Sequence, residues 1–418
     1  MSTARASVVV VSRGRPELLR RCLTGIGQSC HDRFEIVVVA DPAGVAAVRA
    51  MGWANRVKLV AFDAANISAA RNAGVSASAG EIVAFIDDDA VPEPTWLARL
   101  TAPFCDRAVE AAGGYVIGRN GISFQWRARA VDRTGFKVPV PHASDAPFTP
   151  EAPEGHVPVL EGTNCAFRRS TLARMGGFDP GFRFYLDETD LCVRLAREGA
   201  GLRIVPMAQV HHGYAASDRR AADRAPRSLE DIGASLALFL RKHAPEHALA
   251  AARADHREAQ RRALLRHMVN GALEPRDVAA LLETFERGFE AGLARALSRE
   301  LPPLPAPDRP FLPFPRPAFS GVSRKVAGRL WAGARLRRAA EKAVAQGDIV
   351  TVFRFSPTAR AHRVRFTAQG WWEQTGGLFG RSDRADPAFR PWSFASRVAR
   401  EWKRVAGVRQ CDASARFE

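Results

Sequence analysis

Residues 80–89 read GEIVAFIDDD, an apolar run that ends in three consecutive aspartates. A short, uninterrupted apolar run of this kind predicts a strand buried on both faces. Three earlier segments predict similar strands, namely Ser7–Val11, Glu35–Ala40 and Arg56–Phe62.

Helices are predicted between these strands. Apolar residues recur at helical spacing over residues 19–26, and Ala69–Ser78 has helical character. Alternating strands and helices predict an α/β fold with a mostly parallel sheet. Such sheets bind ligands beyond the carboxyl ends of their strands, where Ser12, Asp41 and Asp87–Asp89 would collect.

The aspartate run predicts a metal site. On an extended segment, Asp87 and Asp89 would point the same way and Asp88 elsewhere. Carboxylate oxygens suit Mg²⁺ or Mn²⁺, which commonly bridge to substrate phosphates. The alternative is an acidic turn that caps the next helix. The position at a strand end favours the metal site.

A second acidic set lies at the start of a predicted helix and comprises Asp187, Glu188 and Asp190. Capping of the helix explains one of these acids, and a general base is the hypothesis for the others. Histidines follow the strand-like segment Leu202–Val205. His212 is the predicted third metal ligand, with His211 as the alternative.

Charge is concentrated near the end of the chain. Lys and Arg total 61 against 44 acidic residues, and residues 301–418 hold 22 basic and 9 acidic side chains. A solvated basic surface and a peripheral contact with an anionic membrane are both open interpretations. Nucleic acid is not expected as a partner, because no recognised nucleic-acid-binding motif is present. Trp371 and Trp372 are either a sugar-binding platform or the core of a small module.

The six cysteines are scattered without a CxxC pair, which predicts reduced thiols rather than disulfides. No apolar stretch reaches the roughly 18 residues of a membrane span. The sequence therefore predicts a cytoplasmic protein, with a peripheral position at the inner face of the membrane as an open possibility.

An ordered set of motifs resembles a known family. The segments that carry the resemblance are Ser12-Arg13, residues 35–41 (EIVVVAD), residues 66–74 (NISAARNAG), residues 80–89, residues 162–169 (GTNCAFRR), residues 176–179 (GGFD), residues 187–191 (DETDL) and His211-His212. Together they are similar to the family 2 glycosyltransferases of the GT-A fold, over about residues 5–215.

The resemblance implies an inverting transfer of a sugar from a UDP- or GDP-sugar to a hydroxyl group. The acceptor would be a carbohydrate or a lipid-linked molecule in polysaccharide or glycolipid synthesis, and the cofactor a divalent metal, Mn²⁺ or Mg²⁺. Glu188 corresponds to the catalytic base, although the order Asp-Glu here leaves Asp187 as a competitor.

The resemblance also implies roles for the remaining residues. Asp87 and Asp89 form the DxD motif that holds the metal with His212. The nucleotide pocket would comprise Ser12, Arg13, Asp41, Arg71 and Asp88, and the donor sugar or acceptor would meet Gly162, Thr163, Asn164 and Asp190.

The expected organisation is a GT-A domain over residues 1–225, a helical region over 226–300, a proline-rich basic connector over 301–345 and a small β-containing module over 346–418. Two other functions stay open. A metal-dependent nucleotidyltransferase would release pyrophosphate, but the loop after the first strand lacks the lysine that such enzymes generally carry. A non-catalytic scaffold would act through the basic tail.

Overall fold

The structure is a computed structural model that describes residues 4–213, 216–221, 223–298, 300–316 and 319–411. The strands up to residue 212 are β1 (Ala6–Ser12), β2 (Phe34–Ala40), β3 (Lys58–Ala61), β4 (Ile82–Asp87), β5 (Ala90–Pro92), β6 (Val109–Ile117), β7 (Phe124–Trp126), β8 (Arg129–Asp132), β9 (Lys137–Pro139), β10 (His156–Val159), β11 (Cys165–Arg168) and β12 (Gly201–His212). The helices are α1 (Pro16–Ile26), α2 (Pro42–Ala50), α3 (Ile67–Ala77), α4 (Trp96–Thr101), α5 (Arg169–Arg174) and α6 (Asp187–Arg197).

Nine of these strands form the main sheet, in the order β3-β2-β1-β4-β11-β6-β12-β5, with β7 beside β6. The four strands predicted near the start of the chain are present as β1 to β4 and pair in parallel. The antiparallel strand β11 lies between β4 and β6 and was not predicted. A small sheet of β10, β8 and β9 lies apart from the main one. The predicted α/β class is confirmed.

Both faces of the sheet are buried, as continuous apolar strands require. On β1, Val8 and Val10 belong to one core and Val9 to the other. Helices α1, α2 and α4 cover the first core, whereas α3, α5 and α6 cover the second. This two-sided packing fixes the strand ends where the site lies.

The predicted helical region is also present, and it packs on the second core instead of standing alone. Its helices are α7 (Glu230–His243), α8 (Leu249–Val269) and α9 (Pro275–Leu293). Residues 236–240 of α7 are buried with the aromatic side chains beneath the sheet. Helix α9 lies close to α7 because Gly288 has no side chain: a Cβ there would lie 1.9 Å from the Glu230 carbonyl oxygen.

The proline-rich segment, predicted to be a connector, packs against the main domain through its described residues. The Leu312 N–H donates to Glu35 Oε2 at 2.8 Å, and the Phe314 N–H donates to the Phe34 carbonyl at 2.8 Å. The Phe314 ring is buried against Phe34 and Trp53. Proline removes donors from this segment, but aromatic and leucine side chains between the prolines still bury apolar surface.

The last part of the chain forms a four-stranded sheet in the order β13-β14-β16-β15. Its elements are β13 (Ser323–Arg329), α10 (Gly333–Ala345), β14 (Ile349–Ser356), β15 (Arg363–Phe366), β16 (Trp372–Gly377) and α11 (Phe394–Arg409). Strand β13 and helix α10 lie in the expected connector, yet β13 pairs in parallel with β14. Trp371 and Trp372 are buried, which confirms the core interpretation of these side chains.

This C-terminal module packs against the main sheet. Arg409 of α11 is buried and pairs with both oxygens of Glu93 at 2.8 Å. Cys411 forms a disulfide with Cys30, which corrects the prediction of reduced thiols. The two cysteines are 381 residues apart, so only docking of α11 brings them together. Because disulfides persist in oxidising environments, cysteine usage no longer supports the cytoplasmic prediction.

In the described part of the chain, no helix combines the length and the apolar character that crossing a membrane requires.

Candidate active site

The predicted strand-end residues meet at one edge of the main sheet. Val11 on β1 pairs with Val39 on β2 and with Asp87 on β4, so the carboxyl ends of these three strands are level. Ser12 is the last residue of β1, and Asp41 follows directly on β2. The edge therefore gathers polar groups from segments far apart in sequence.

Three side chains at this edge can hold a metal ion. Asp87, Asp89 and His212 each offer one ligand atom, and these atoms lie within 4.8 Å of one another. Strand β12 brings the histidine there, because His212 pairs with Ala90 directly after the aspartate run. His212 Nε2 lies 3.2 Å from Asp89 Oδ1. Two carboxylates with one imidazole suit Mn²⁺ or Mg²⁺.

Asp88 is separated from this set, but not by strand alternation as predicted. Asp88 and Asp89 form a turn between β4 and β5. The Asp88 carboxylate is fully buried, accepts from Ser12 Oγ at 2.7 Å and pairs with Arg15 at 2.5 Å. Burial raises the pKa of Asp88 to about 7 despite the Arg15 charge. Its contacts are with the protein rather than with an open nucleotide pocket.

Arg71 connects Asp87, Asp89 and His212, which we call the metal-ligand set, to the second acidic set at the start of α6. Its guanidinium pairs with Asp187, lies 3.4 Å from Asp87 Oδ1 and donates to the Gly162 carbonyl at 3.0 Å. Only 6% of the side chain is exposed. Arg71 therefore fixes the spacing between the two groups of carboxylates.

Helix α6 begins with a strained turn that presents Asp187 and Glu188. Tyr185 and Leu186 have φ values of 69° and 66°, in the left-handed region that bulky side chains rarely adopt. Such strain persists only where the surroundings enforce it, and it concentrates at functional sites. The Phe184 carbonyl, just before the turn, accepts from Ser235 Oγ of α7 at 2.6 Å.

The two carboxyl groups at this helix start differ in electrostatic environment. Burial raises the pKa of Asp187, and the neighbouring Glu188 adds to the rise although Arg71 opposes it. Burial also acts on Glu188, but Lys137 and Arg71 outweigh it and lower the pKa of this group. Lys137 Nζ lies 3.2 Å from Glu188 Oε1. Glu188 is therefore held as a carboxylate.

Two residues predicted to meet the substrate lie in buried polar contacts of the protein. Asp190 is fully buried and pairs with Arg194, Lys242 and His243, each at 2.8 Å. The Asn164 side chain is also fully buried and bonds Trp96 Nε1 and the carbonyls of two strands. Both side chains stabilise the scaffold, and neither reaches an open surface.

The neighbours of Asn164 are placed differently. The Gly162 carbonyl faces Arg71, and a Cβ on Gly162 would lie 2.6 Å from the Arg71 guanidinium. Thr163 Oγ1 is buried and has no hydrogen-bond partner among the described residues. An unpaired buried hydroxyl is costly unless a ligand or water pairs with it.

Asp41 and Arg13, two of the residues predicted for the nucleotide pocket, lie at or next to the loop after β1. The Asp41 carboxylate caps α2 through the Gly44 N–H at 2.9 Å and accepts from the Gly14 N–H at 2.8 Å. It therefore organises the loop after β1. Arg13 in that loop is half exposed, and its Nε lies 3.3 Å from Asp63 Oδ1.

Three residues that contact the candidate site or its histidines were not predicted from the sequence. Arg15 lies in the same loop as Arg13 and could have been suspected from its position. Lys137 comes from a short strand with no motif, so its pairing with Glu188 had no sequence signal. Glu93 bonds His211 Nε2 at 2.7 Å as well as Arg409, and this places the alternative ligand His211 away from the metal-ligand set.

Known proteins match part of this chain. Residues 7–176 match the family described as Glycosyl transferase family 2. A pre-mycofactocin glycosyltransferase of Mycobacterium tuberculosis is 30% identical over 151 residues, which are 35% of this chain and 30% of the relative. The putative glycosyltransferase EpsH of Bacillus subtilis is 29% identical over 117 residues, 27% of this chain and 32% of that protein. The chain thus spans about a third of the length of these relatives.

Among solved structures, a mannosyltransferase from Pyrobaculum calidifontis in complex with GDP-Man and Mn²⁺ has a TM-score of 0.43 at 19% identity, over 70% of this chain and 88% of that chain.

The family match includes Asp87 and Asp89 and ends before Asp187, Glu188 and His212. The placement of these last three therefore rests on the geometry of the site. The predicted resemblance is confirmed over the matched segment: residues 7–176, which supply most strands of the main α/β sheet, match the glycosyl transferase family 2.

Proposed function

We propose that this protein transfers a sugar from a UDP- or GDP-sugar to an acceptor hydroxyl, with inversion at the anomeric carbon and with the help of a divalent metal. One observation carries the proposal. Within a family 2 domain, Arg71 holds a metal-ligand set and a pair of candidate bases at one sheet edge. A metal-assisted group transfer needs these two functions side by side.

The residues present fit a resident metal. Asp87, Asp89 and His212 would hold Mn²⁺ or Mg²⁺, since carboxylate oxygens with an imidazole suit such ions. When bound, the ion supplies positive charge that stabilises the leaving diphosphate. Ser12, Arg13, Asp41 and the loop after β1 would bind the nucleoside at the adjacent strand ends.

The chain supplies the base and its orientation. Glu188 removes the proton from the acceptor hydroxyl, while Lys137 keeps its carboxylate ionised. Asp187 is held by Arg71, which also contacts Asp87. Arg71 therefore orients Asp187 and Glu188 relative to the residues that would hold the metal and the donor. Asp187 remains the alternative base. Attack from the face opposite the diphosphate inverts the anomeric carbon.

The acceptor class is proposed from the family resemblance of the sequence, not from the names of the relatives. They are called glycosyltransferases, which supports sugar transfer but leaves the acceptor to experiment. A carbohydrate or lipid-linked acceptor in polysaccharide or glycolipid synthesis is the proposal.

The test uses the full chain with a panel of UDP- and GDP-sugars, with Mn²⁺ and with chelator. Release of nucleoside diphosphate that requires the metal supports the proposal. Release of pyrophosphate would support a nucleotidyltransferase instead. Metal-independent nucleotide binding without turnover would support a scaffold. Asp145→Ala, a change at an exposed carboxylate, is the matched control for changes in the acidic clusters.

A further inference from the structure

The C-terminal module carries an exposed aromatic side chain next to unpaired positive charge. Trp331 is 77% exposed and Leu330 is 49% exposed, in the short turn that precedes α10. A single exposed apolar side chain is ordinary on a protein surface, but Leu330 and Trp331 are adjacent and border a row of basic side chains, and this combination points to a partner. The surrounding charges identify the kind of partner.

The outward face of α10 is basic. Arg335, Arg338 and Lys342 recur at i, i+3 and i+7, so they lie on one side of the helix. At about 100° per residue, this stripe lies about 135° from the buried face formed by Leu336, Ala340 and Ala343. The spacing continues back to Trp331, four residues before Arg335. We call these four residues the α10 stripe.

The charges of the α10 stripe are not neutralised within the described part of the chain, where its three cations make no ion pair with an acidic side chain. Two neighbouring cations of the module do have partners: Arg324 pairs with Asp348 at 2.6 Å, and Arg329 lies over the Phe394 ring. The single acid of α10, Glu341, lies beside a cavity of 270 Å³ on another side of the helix. The stripe therefore presents three positive charges and no negative one.

We propose that the α10 stripe docks this protein on an anionic lipid bilayer. Tryptophan prefers the boundary between headgroups and acyl chains, and basic side chains beside it contact anionic headgroups. Leu330 adds apolar surface at the same end of the helix. The docking is independent of the proposed transferase chemistry, since its residues lie on α10 and the turn before it.

A bilayer fits this surface better than a nucleic acid does. Binding of a nucleic acid requires phosphate contacts together with a groove-reading element or a series of stacking platforms. The stripe offers one aromatic ring at one end and a leucine beside it, on a convex helix surface. A hydrophobic tip with flanking cations suits an interface that is apolar on one side and anionic on the other.

The test is co-sedimentation of the full chain with phosphatidylcholine vesicles, with and without phosphatidylglycerol. We expect binding only to the anionic vesicles, with a loss at high salt because screening weakens exposed charges. At roughly fivefold per cation, the variant R335Q/R338Q/K342Q would bind about a hundredfold more weakly. Trp331→Ser would weaken binding about tenfold through lost apolar contact.

The matched control is R261Q/R262Q/R266Q, which removes three charges from an exposed face of α8. All these positions are exposed, and a thermal melt verifies that each variant is folded. The proposal is overturned if the α8 variant loses as much binding as the α10 variant, because net charge alone would then explain it. Binding to neutral vesicles at equal strength, no binding to either vesicle, or stronger binding to duplex DNA that Trp331→Ser leaves unchanged would also overturn it.

Discussion

The two acidic clusters of this protein are alike in holding three carboxylates, but they differ in the backbone structure that carries them. Asp87–Asp89 follows a strand, whereas Asp187–Asp190 begins a helix, and each contains three carboxylates. In each cluster one carboxylate, Asp88 or Asp190, has no exposed side-chain surface, whereas the other two keep between 3% and 33% of theirs exposed. The local backbone decides which one is buried: a turn sends Asp88 inward, and the helical repeat sends Asp190 inward. Position within the run, rather than residue type, therefore separates the fully buried carboxylate from the two that we propose take part in the chemistry.

Asp89→Ala is expected to have the largest effect of the changes in the two clusters. Removal of a metal ligand takes away transition-state charge stabilisation of several kcal/mol, so activity should fall about a thousandfold. Release of nucleoside diphosphate measures it, and the thermal shift caused by Mn²⁺ should disappear while the fold survives. Full activity of this variant, with Asp145→Ala as the reference, would remove the metal assignment.

The helix-borne cluster is tested by Glu188→Gln. The amide has the same shape but cannot accept a proton, so the rate should fall by about 10² to 10³. Asp187→Asn should cost about tenfold, since it weakens only the hold on Arg71. Both are measured as kcat with saturating donor. If Asp187→Asn has the larger effect, Asp187 rather than Glu188 is the base.

The sequence predicted what local rules determine. The strand ends and the meeting of Ser12, Asp41 and Asp87 follow from apolar runs and from the rule on parallel sheets, and the structure brings these residues to one edge. The burial of Asp190 depends on Lys242 and His243, which α7 delivers from more than fifty residues away. Lys137 likewise meets Glu188 only through the small sheet. Such partners are set by tertiary packing, which no local pattern encodes.

Asp190→Asn tests the structural member of the helix cluster. Loss of one partner of a buried ionic group leaves the others uncompensated, so the free energy of unfolding should fall by about 3 kcal/mol at pH 7. Burial alone would raise the pKa of Asp190, but His243, Arg194 and Lys242 outweigh it and lower the value.

The sign of the pH dependence follows from that lowered pKa. The stabilisation is present above the pKa of about 3.9 of an unfolded aspartate and is lost as the pH falls toward the lower folded value. The gap between the original chain and Asp190→Asn, measured by urea unfolding, should therefore narrow below about pH 4. A gap that stays constant with pH would show that lost packing, not charge, causes the destabilisation.

Asp88→Asn is the matching change in the strand cluster and should have the smallest effect. Asp88 has fewer cationic partners than Asp190, and the main one, Arg15, is 26% exposed, so solvent screens part of the interaction. An asparagine oxygen can still accept from Ser12 Oγ. We expect about 1 kcal/mol of lost stability and less than a tenfold loss of activity, measured by urea unfolding and nucleoside diphosphate release. A loss of activity as large as that of Asp89→Ala, in a variant that stays folded, would place Asp88 among the chemical carboxylates and end the parallel between the two clusters.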